Sequence, residues 1–310
     1  MKNALVKTGV KLTQSISSTV WSVASNIDQA CQLYSFKSSF ESRIDDVYVA
    51  SFPRSGTTWT MYCIYQMLMD QRTKESGFDH IYQVIPWWEL HGTKGLGPYL
   101  EKLPSPRIFK THLNKYLPTE GRFVNVYRDP RDVAISLYYH NMSIGNSTHF
   151  ESVFSSPNLV LGKVPIEKWL NRIGWIVKAW CEFMHQSIKE MENKDGIFIS
   201  YEDMRADPRA TTQTIADFLG CEKSGEEIDE ILDRTSFEAM KLEEDKFSCY
   251  GNVKLTSTQS GAFVRNGSAK GWQNILSEEQ KALALENMEK YFKKYNLERI
   301  PGVTRYLEQS

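Results

Sequence analysis

The feature that most constrains this chain is the stretch of residues 48–59, in which a short apolar run leads through a loop into a long uninterrupted segment. The apolar residues 47–50 predict a buried strand. Pro53 ends that strand, because proline has no N–H to donate to a neighbouring strand. Residues 60–69 contain no glycine or proline, which predicts a helix of about three turns. A strand, a loop and a helix start in this order can hold a phosphate, since free N–H groups and the helix dipole point at the anion.

The loop itself carries one cation, one glycine and three hydroxyl side chains. Gly56 allows the backbone to approach a ligand closely. The hydroxyls of Ser55, Thr57 and Thr58 add donors, and Arg54 adds positive charge. No Gly-Lys followed by Ser or Thr occurs anywhere in the chain, so the loop is not the nucleotide-binding loop of the P-loop NTPases. The pattern predicts a phosphate site of another kind; the alternative is an ordinary turn before a buried helix.

Composition narrows the classes of function. The 310 residues are 41% apolar and 24% charged, as is typical of a soluble globular protein. The formal net charge of −1 gives no basic field for nucleic acid, so an anionic ligand must be held by local cations. No apolar run approaches the roughly 18 residues of a membrane span. Scattered cysteines without a C-x-x-C pair predict a reducing, cytoplasmic setting without a zinc site or disulfide framework; they are Cys31, Cys63, Cys181, Cys221 and Cys249.

Strand and helix signals alternate along the chain, which predicts an α/β fold with a central parallel sheet flanked by helices. Further strands are expected at residues 122–127 and 197–203, and helices at 133–140, 166–192 and from Pro208 to Gly220. We expect residues 1–44 to be an N-terminal segment that packs on the domain or is partly flexible, residues 45–295 to form a single domain, and residues 296–310 to be a C-terminal tail. Residues 141–165 are polar and predict a flexible loop that covers the ligand site.

Two pairs of side chains are candidates for chemistry. Lys110 and His112 lie two apart at a strand cue, so they share a face and suit a charge stabiliser and a general base; the alternative is a structural histidine. Asp129 before Pro130 predicts a helix start. Arg128 just before it and Ser136 two turns inside the helix suit a clamp on a second phosphate. The alternative is a surface salt bridge and a core serine.

These motifs together resemble the cytosolic sulfotransferases over roughly residues 45–295. Residues 55–59 match the Ser-Gly-Thr-Thr-Trp of the family's P-loop-like 5′-phosphosulfate loop, with Arg54 where the family usually has lysine. The family's K-T-H-L, R-x-x-[KR]-D-V-A-x-S, Y-E-D, T-S-F-x-x-M and F-x-R-x-G segments occur in order at residues 110–113, 128–136, 201–203, 235–240 and 263–267. Asn266 stands where a lysine is usual. The resemblance implies the donor 3′-phosphoadenosine 5′-phosphosulfate (PAPS) and the product 3′,5′-adenosine bisphosphate (PAP).

The resemblance also implies which residues bind the nucleotide. The loop residues would take the 5′-phosphate and sulfate, the Arg128 and Arg265 region the 3′-phosphate, and several aromatic and apolar side chains the adenine. The full set is Arg54, Ser55, Gly56, Thr57, Thr58, Trp59, Arg128, Ser136, Tyr201, Thr235, Phe237, Met240, Phe263, Val264, Arg265, Asn266 and Gly267.

The implied reaction is in-line transfer of a sulfuryl group to a hydroxyl or amine of a small, aromatic or apolar acceptor, without a metal. His112 would be the base, and Lys110 and Arg54 would stabilise the charge that develops on the donor. An aromatic cleft for the acceptor is expected from Tyr82, Trp87, Trp88, His149 and Phe150, although adjacent tryptophans after a proline also suit a core corner.

Three alternatives differ in class. A P-loop nucleotide kinase would need the missing lysine. A non-catalytic PAPS- or PAP-binding member of the same fold is supported by the departures at Arg54 and Asn266. A membrane-anchored carbohydrate sulfotransferase would need an anchoring helix. We expect a monomer or a non-standard dimer, because the family's K-x-x-x-T-V-x-x-x-E pairing segment falls here on Gln273, Ser277, Glu278 and Ala282.

Overall fold

The computed structural model describes residues 31–69, 77–113, 117–118, 120–144, 165–247 and 269–308. At its centre is a four-stranded sheet with the order β2-β1-β3-β4, in which every neighbouring pair is parallel. The strands are β1 Val47–Ser51, β2 Ile108–Thr111, β3 Arg122–Tyr127 and β4 Asp195–Ser200. The predicted α/β class with a parallel sheet flanked by helices is confirmed.

The strand order places a topological switch point between β1 and β3. The chain leaves β1 towards β2 on one side and leaves β3 towards β4 on the other. Open parallel sheets bind ligands at the carboxyl ends of strands where the connections diverge in this way. The register aligns Ser51 with Val126, so the loops after β1 and β3 emerge side by side.

Helices cover the sheet and form the rest of the domain. A helical segment at residues 31–39 precedes β1. The further helices are α1 Thr57–Met69, α2 Trp88–Thr93, α3 Gly97–Glu101, α4 Pro130–Ile144, α5 Ile166–Leu170, α6 Ile173–Met191, α7 Tyr201–Ala206, α8 Pro208–Leu219, α9 Gly225–Arg234, α10 Phe237–Leu242 and α11 Glu278–Tyr295. Short 3-10 turns lie at Ile81–Gln83, Glu244–Lys246, Gly271–Asn274, Leu297–Arg299 and Val303–Tyr306. None of the described helices is long and apolar enough to cross a bilayer.

Four predicted boundaries were wrong, for local reasons. The helix expected over residues 166–192 is two helices, α5 and α6, interrupted at residues 171–172. The strand expected to reach residue 203 ends at Ser200, whose side chain accepts a hydrogen bond from the Asp203 N–H and begins α7. Helix α1 begins within the predicted loop, at Thr57, and α4 continues through Ile144 into the segment expected to be a loop.

The C-terminal residues contribute to the main core rather than lying apart from it. Leu297, Ile300, Val303 and Tyr306 are buried in the same cluster as Trp180 of α6. The Tyr127 hydroxyl at the end of β3 also donates a short hydrogen bond to the Pro301 carbonyl. The C-terminal segment therefore braces the strand from which part of the functional site emerges.

Candidate functional site

The loop after β1 forms a cradle that a side chain at Gly56 would close. Gly56 has φ +100°, and a Cβ there would lie 2.7 Å from the Tyr201 ring. The Ser55 hydroxyl is buried and has no hydrogen-bond partner among the described groups. A hydrogen bond between the hydroxyls of Ser51 and Thr57 fixes the start of α1 beneath the loop. A buried unpartnered donor beside a helix start fits an anionic ligand such as a phosphate.

The cation of this loop, Arg54, is held from several sides. Its backbone has φ 69°, in the left-handed region that costs a non-glycine residue about 1–2 kcal/mol. Its Nε donates to the Ser136 hydroxyl at 3.1 Å, and Nη1 lies 3.5 Å from Nδ1 of His140. Its carbonyl accepts from Nη1 of Arg128 at 3.3 Å. Strain at a residue held this firmly is typical of functional sites.

His112 lies just beyond β2 and is almost fully buried. Its Nδ1 is 2.7 Å from the Ser51 carbonyl, so Nδ1 carries the hydrogen and Nε2 is left as the basic nitrogen. Its backbone N–H donates to the buried Glu89 carboxyl at 2.6 Å. Burial, followed by the charge of Lys110, lowers the pKa of His112 well below its ordinary value. The imidazole is therefore neutral at neutral pH, as a general base must be.

Lys110 lies on β2 against two of the predicted acceptor residues. Its Nζ donates to the Tyr82 hydroxyl at 2.7 Å and lies 3.7 Å from the centroid of the Trp87 ring. The Trp87 ring also lies nearly perpendicular to that of His112, with ring centroids 5.5 Å apart. Tyr82, Trp87, Lys110 and His112 thus meet in one group, which we call the acceptor end after the role that the sequence predicts for it.

The adjacent tryptophan, Trp88, lies in the core, which is the other position that the sequence allowed for this pair. Trp88 is fully buried against Phe36, Phe40, Tyr48 and Phe109, so it is a core residue and not part of the acceptor end. The reason is local, because α2 begins at Trp88 and successive side chains of a helix point in different directions. His149 and Phe150 lie outside the described residues.

A second group, which we call the nucleotide end after the role that the sequence predicts for it, is organised around Arg128. Its guanidinium lies 4.4 Å from the centroid of the Tyr201 ring and 3.9 Å from the Asp132 carboxylate. Asp132 in turn accepts hydrogen bonds from the backbone N–H groups of Lys270, at 2.7 Å, and Trp272, at 3.0 Å. Burial raises the pKa of Asp132 to about 6. A carboxylate therefore ties the 3-10 turn near residue 270 to the arginine.

A second carboxylate supports the nucleotide end from behind. Glu202 accepts from the Asp129 N–H at 3.0 Å and from the Tyr306 hydroxyl at 2.6 Å. Asp129 also accepts from the Arg131 N–H at 2.8 Å, the contact expected of the residue that caps α4. The C-terminal segment, α7 and the start of α4 are thereby joined at this end of the site.

Other predicted residues lie at varying depths. Trp59 is half-buried, with its ring 6.0 Å from that of Tyr201. Thr235 and Met240 are buried and Phe237 is half-buried, while Thr58 is also half-buried in the first turn of α1. Residues 263–267, with Phe263, Val264, Arg265, Asn266 and Gly267, lie outside the described part of the chain. No group of three or more His, Cys, Asp or Glu side chains among the described residues could hold a metal ion.

Sequence reasoning missed four residues of the site: Ser51, Glu89, Asp132 as a backbone anchor, and His140. Only His140 carried a signal, because it lies four residues after Ser136 and so shares its helix face. The others act through contacts between segments distant in sequence, for which no short pattern exists.

Comparison with known proteins places these features in a family. The profile described as "Sulfotransferase domain" matches residues 44–296. Sulfotransferase 1B1 of Canis lupus familiaris is 30% identical over 252 residues, covering 77% of this chain and 80% of the relative. Amine sulfotransferase of Oryctolagus cuniculus is 30% identical over 255 residues, 78% of each chain. The crystal structure of mouse sulfotransferase SULT7A1 complexed with PAP has the same fold, with a TM-score of 0.64 at 21% identity, covering 90% of this chain and 94% of the other.

Proposed function

This chain belongs to the sulfotransferase family, and we propose that it moves a sulfuryl group from PAPS to a hydroxyl or amine of a small aromatic or apolar acceptor. One observation carries the proposal. A neutral imidazole, His112, lies beside the cations Arg54 and Lys110 and contacts the end of β1, and the loop that follows β1 holds a buried Ser55 hydroxyl with no partner among the described groups. A base, positive charge and a phosphate cradle are the three requirements of this transfer.

The residues around the loop are proposed to hold the donor. Ser55, Thr57 and Thr58 would bind the 5′-phosphate and sulfate, with Gly56 leaving the space that they need. Arg128 would bind the 3′-phosphate, supported by its contacts with Asp132 and the Tyr201 ring. Residues 263–267 are proposed to complete the 3′-phosphate site, and Trp59, Tyr201, Thr235, Phe237 and Met240 to border the adenine. The donor supplies an activated sulfuryl group, so no metal is proposed.

The proton is proposed to move to His112. Since Nδ1–H is held by the Ser51 carbonyl, Nε2 accepts the proton of the acceptor's hydroxyl or amine. The imidazolium that forms lies in a buried site close to two cations, so it returns its proton readily to solvent. Arg54 and Lys110 donate to the oxygen on which negative charge grows, which lowers the barrier most where water is excluded.

The acceptor is proposed to lie against Tyr82 and Trp87, within reach of His112. Trp87 contacts both Lys110 and His112, so a flat apolar group stacked there would bring its polar end to the base. A relative that is 30% identical is named an amine sulfotransferase, which keeps amines beside phenols and alcohols among the acceptors to be screened.

Two measurements test the function together. PAP at about a hundred times its dissociation constant should stabilise the fold by roughly 2.7 kcal/mol, or several degrees in melting temperature. A screen of phenols, alcohols, steroids and amines with labelled PAPS should then identify an acceptor. Binding of PAP without transfer to any acceptor would favour the non-catalytic alternative, and a response to ATP with magnesium but none to PAP would refute the sulfotransferase.

The protein is proposed to be cytoplasmic, and to be either a monomer or a non-standard dimer. Four cysteines among the described residues are free, and three of them are buried. At the start of α11, Ser277 caps the helix and Glu278 pairs with Lys281 at 2.7 Å, where the family's pairing segment would need an apolar side chain. Light scattering at micromolar concentration distinguishes a monomer of about 36 kDa from a dimer, and a dimer abolished by Glu278→Arg would show that this segment still pairs two copies.

A further inference from the structure

A second buried histidine, His140, lies in the site and has no part in the proposed proton transfer. It is one turn beyond Ser136 on α4 and is 7% exposed. Its Nδ1 is 3.5 Å from Nη1 of Arg54, while the Ser136 hydroxyl is 3.1 Å from Nε of the same guanidinium. One face of α4 therefore presents two polar atoms to two different nitrogens of Arg54.

The chemistry of the pair fixes the direction of this contact. A guanidinium can only donate hydrogen bonds, so Nδ1 of His140 must accept and the ring hydrogen must be on Nε2. Burial, followed by the charges of Arg54 and Lys110, lowers the pKa of His140 well below its ordinary value, which keeps the ring in the accepting form. The two buried imidazoles are thus in opposite tautomers, because Nδ1 of His112 donates to Ser51.

We propose that His140 is a positioning residue that, together with Ser136, sets the plane of the Arg54 guanidinium towards the group that is transferred. A planar cation presents its donors in fixed directions, so its value to the reaction depends on orientation as well as charge. A backbone with positive φ brings the side chain near the reaction, and two acceptors on α4 then fix its rotation. The catalytic meaning of this contact rests on the proposed function, but the contact itself does not.

The proposal predicts coupling between the two residues, because a lysine has no plane to orient. With Arg54 present, His140→Leu should lower kcat about tenfold with less than a twofold change in the affinity for PAP. In an Arg54→Lys background, the same substitution should change kcat less than twofold. His140→Asn should recover most of the loss, since its amide oxygen can accept where Nδ1 does. His185 is on α6 and contacts the Tyr295 carbonyl. His185→Leu is the matched control, and we expect it to leave kcat unchanged.

An equal loss from His140→Leu in both backgrounds would overturn the proposal and assign His140 to the acceptor instead. Failure of His140→Asn to recover activity at an unchanged melting temperature would also overturn it. These kinetic experiments require an active transferase. A second measurement therefore tests the Arg54–His140 contact without relying on activity. With only six histidines in the chain, selective 15N labelling resolves each ring, and loss of one signal in His140→Asn assigns it.

In the 15N spectrum, His140 should be the Nε2–H tautomer and His112 the Nδ1–H tautomer at pH 7. Arg54→Met should shift the Nδ1 resonance of His140, because the donor to that nitrogen is removed. The opposite tautomer at His140, or a resonance indifferent to Arg54→Met, would exclude the contact. Should the parental protein transfer sulfate to no acceptor while these spectra hold, the proposed function fails and the Arg54–His140 contact stands.

Discussion

The acceptor end and the nucleotide end of the site are held together by different kinds of interaction. At the acceptor end, His112 is fixed by a backbone carbonyl, and Lys110 by a phenol and the face of an indole. At the nucleotide end, carboxylates make the contacts: Asp132 faces the charge of Arg128, and Glu202 of α7 accepts from the Asp129 N–H that precedes α4 and from the Tyr306 hydroxyl of the C-terminal segment. Both ends are buried, so the difference lies in charge rather than in access to solvent.

Under the proposed function, the difference separates the binding of the nucleotide from the reaction. A base must be neutral before it can take a proton, and burial among cations keeps His112 so. A site for a phosphate must keep its positive charge, and nearby carboxylates hold Arg128 in place without neutralising it completely. Substitutions at the acceptor end should therefore change turnover more than affinity for the nucleotide, and those at the nucleotide end should do the reverse.

The largest effect is expected at His112. His112→Asn should lower kcat by roughly 10²–10⁴, the range expected for loss of a positioned base. Its amide can still donate to the Ser51 carbonyl, so the melting temperature and the affinity for PAP should change little. Measuring all three on one purified protein separates a base from a structural histidine, for which stability and activity would fall together. Turnover at the parental rate would refute the assignment.

The pH dependence of the proton transfer to His112 follows from the lowered pKa of that residue. The neutral ring is active, so kcat should be constant above the ordinary value of 6.5 and should fall only at a lower pH, as the ring gains a proton. This differs from the fall near 6.5 that an unperturbed histidine would give. A loss of rate that begins above pH 6.5 would mean that the base is another group or that its site is wetter than the structure shows.

A smaller effect is expected at Arg54, which lies between the two ends. Arg54→Met should lose on the order of a hundredfold in kcat, because it removes the charge beside the developing anion. Arg54→Lys should keep measurable transfer, since the charge remains although the planar fork is lost. Rates of turnover for the three proteins at saturating acceptor decide the matter. Equal rates would show that Arg54 is structural only.

Features that depend on neighbouring residues were predicted from the sequence. The bounds of β3 and the end of α8 at Gly220, with φ 68°, follow from β-branched runs and from glycine's freedom in the left-handed region. The cap on α4 by Asp129 follows from an acidic residue before proline. The cation, glycine and hydroxyls after β1 also indicated a phosphate cradle, because its parts lie within five residues.

Features that depend on the packing of distant segments could not be predicted. Nothing in the sequence decides which of Trp87 and Trp88 contacts Lys110 and His112, since that depends on where α2 begins. The contact of Asp132 with the backbone of Lys270 joins residues 138 positions apart. The contribution of Tyr306 to the site likewise depends on how the C-terminal segment folds back over α6.

The smallest effect is expected at Asp132. A substitution there tests the role of the carboxylate at the nucleotide end. Asp132→Asn keeps the size of the side chain but removes the charge facing Arg128, and it leaves one of two backbone N–H groups without its acceptor. We expect the affinity for PAP to fall about tenfold or less, with a smaller change in kcat. Titration calorimetry with PAP measures the first, and Asp195→Asn, on an exposed carboxylate paired with Arg122, is the control.

Stability against pH gives a second, independent measure of Asp132. Burial raises its pKa from the ordinary 3.8 to about 6, so its contribution to stability is greatest below 3.8 and is lost as the pH rises through about 6. The Asn variant has no such group. The parental protein should therefore gain stability relative to Asp132→Asn when the pH is lowered from 7 to 5, as seen in denaturant midpoints measured at both values. Equal changes of stability in the two proteins would mean that the pKa of Asp132 is not raised by burial.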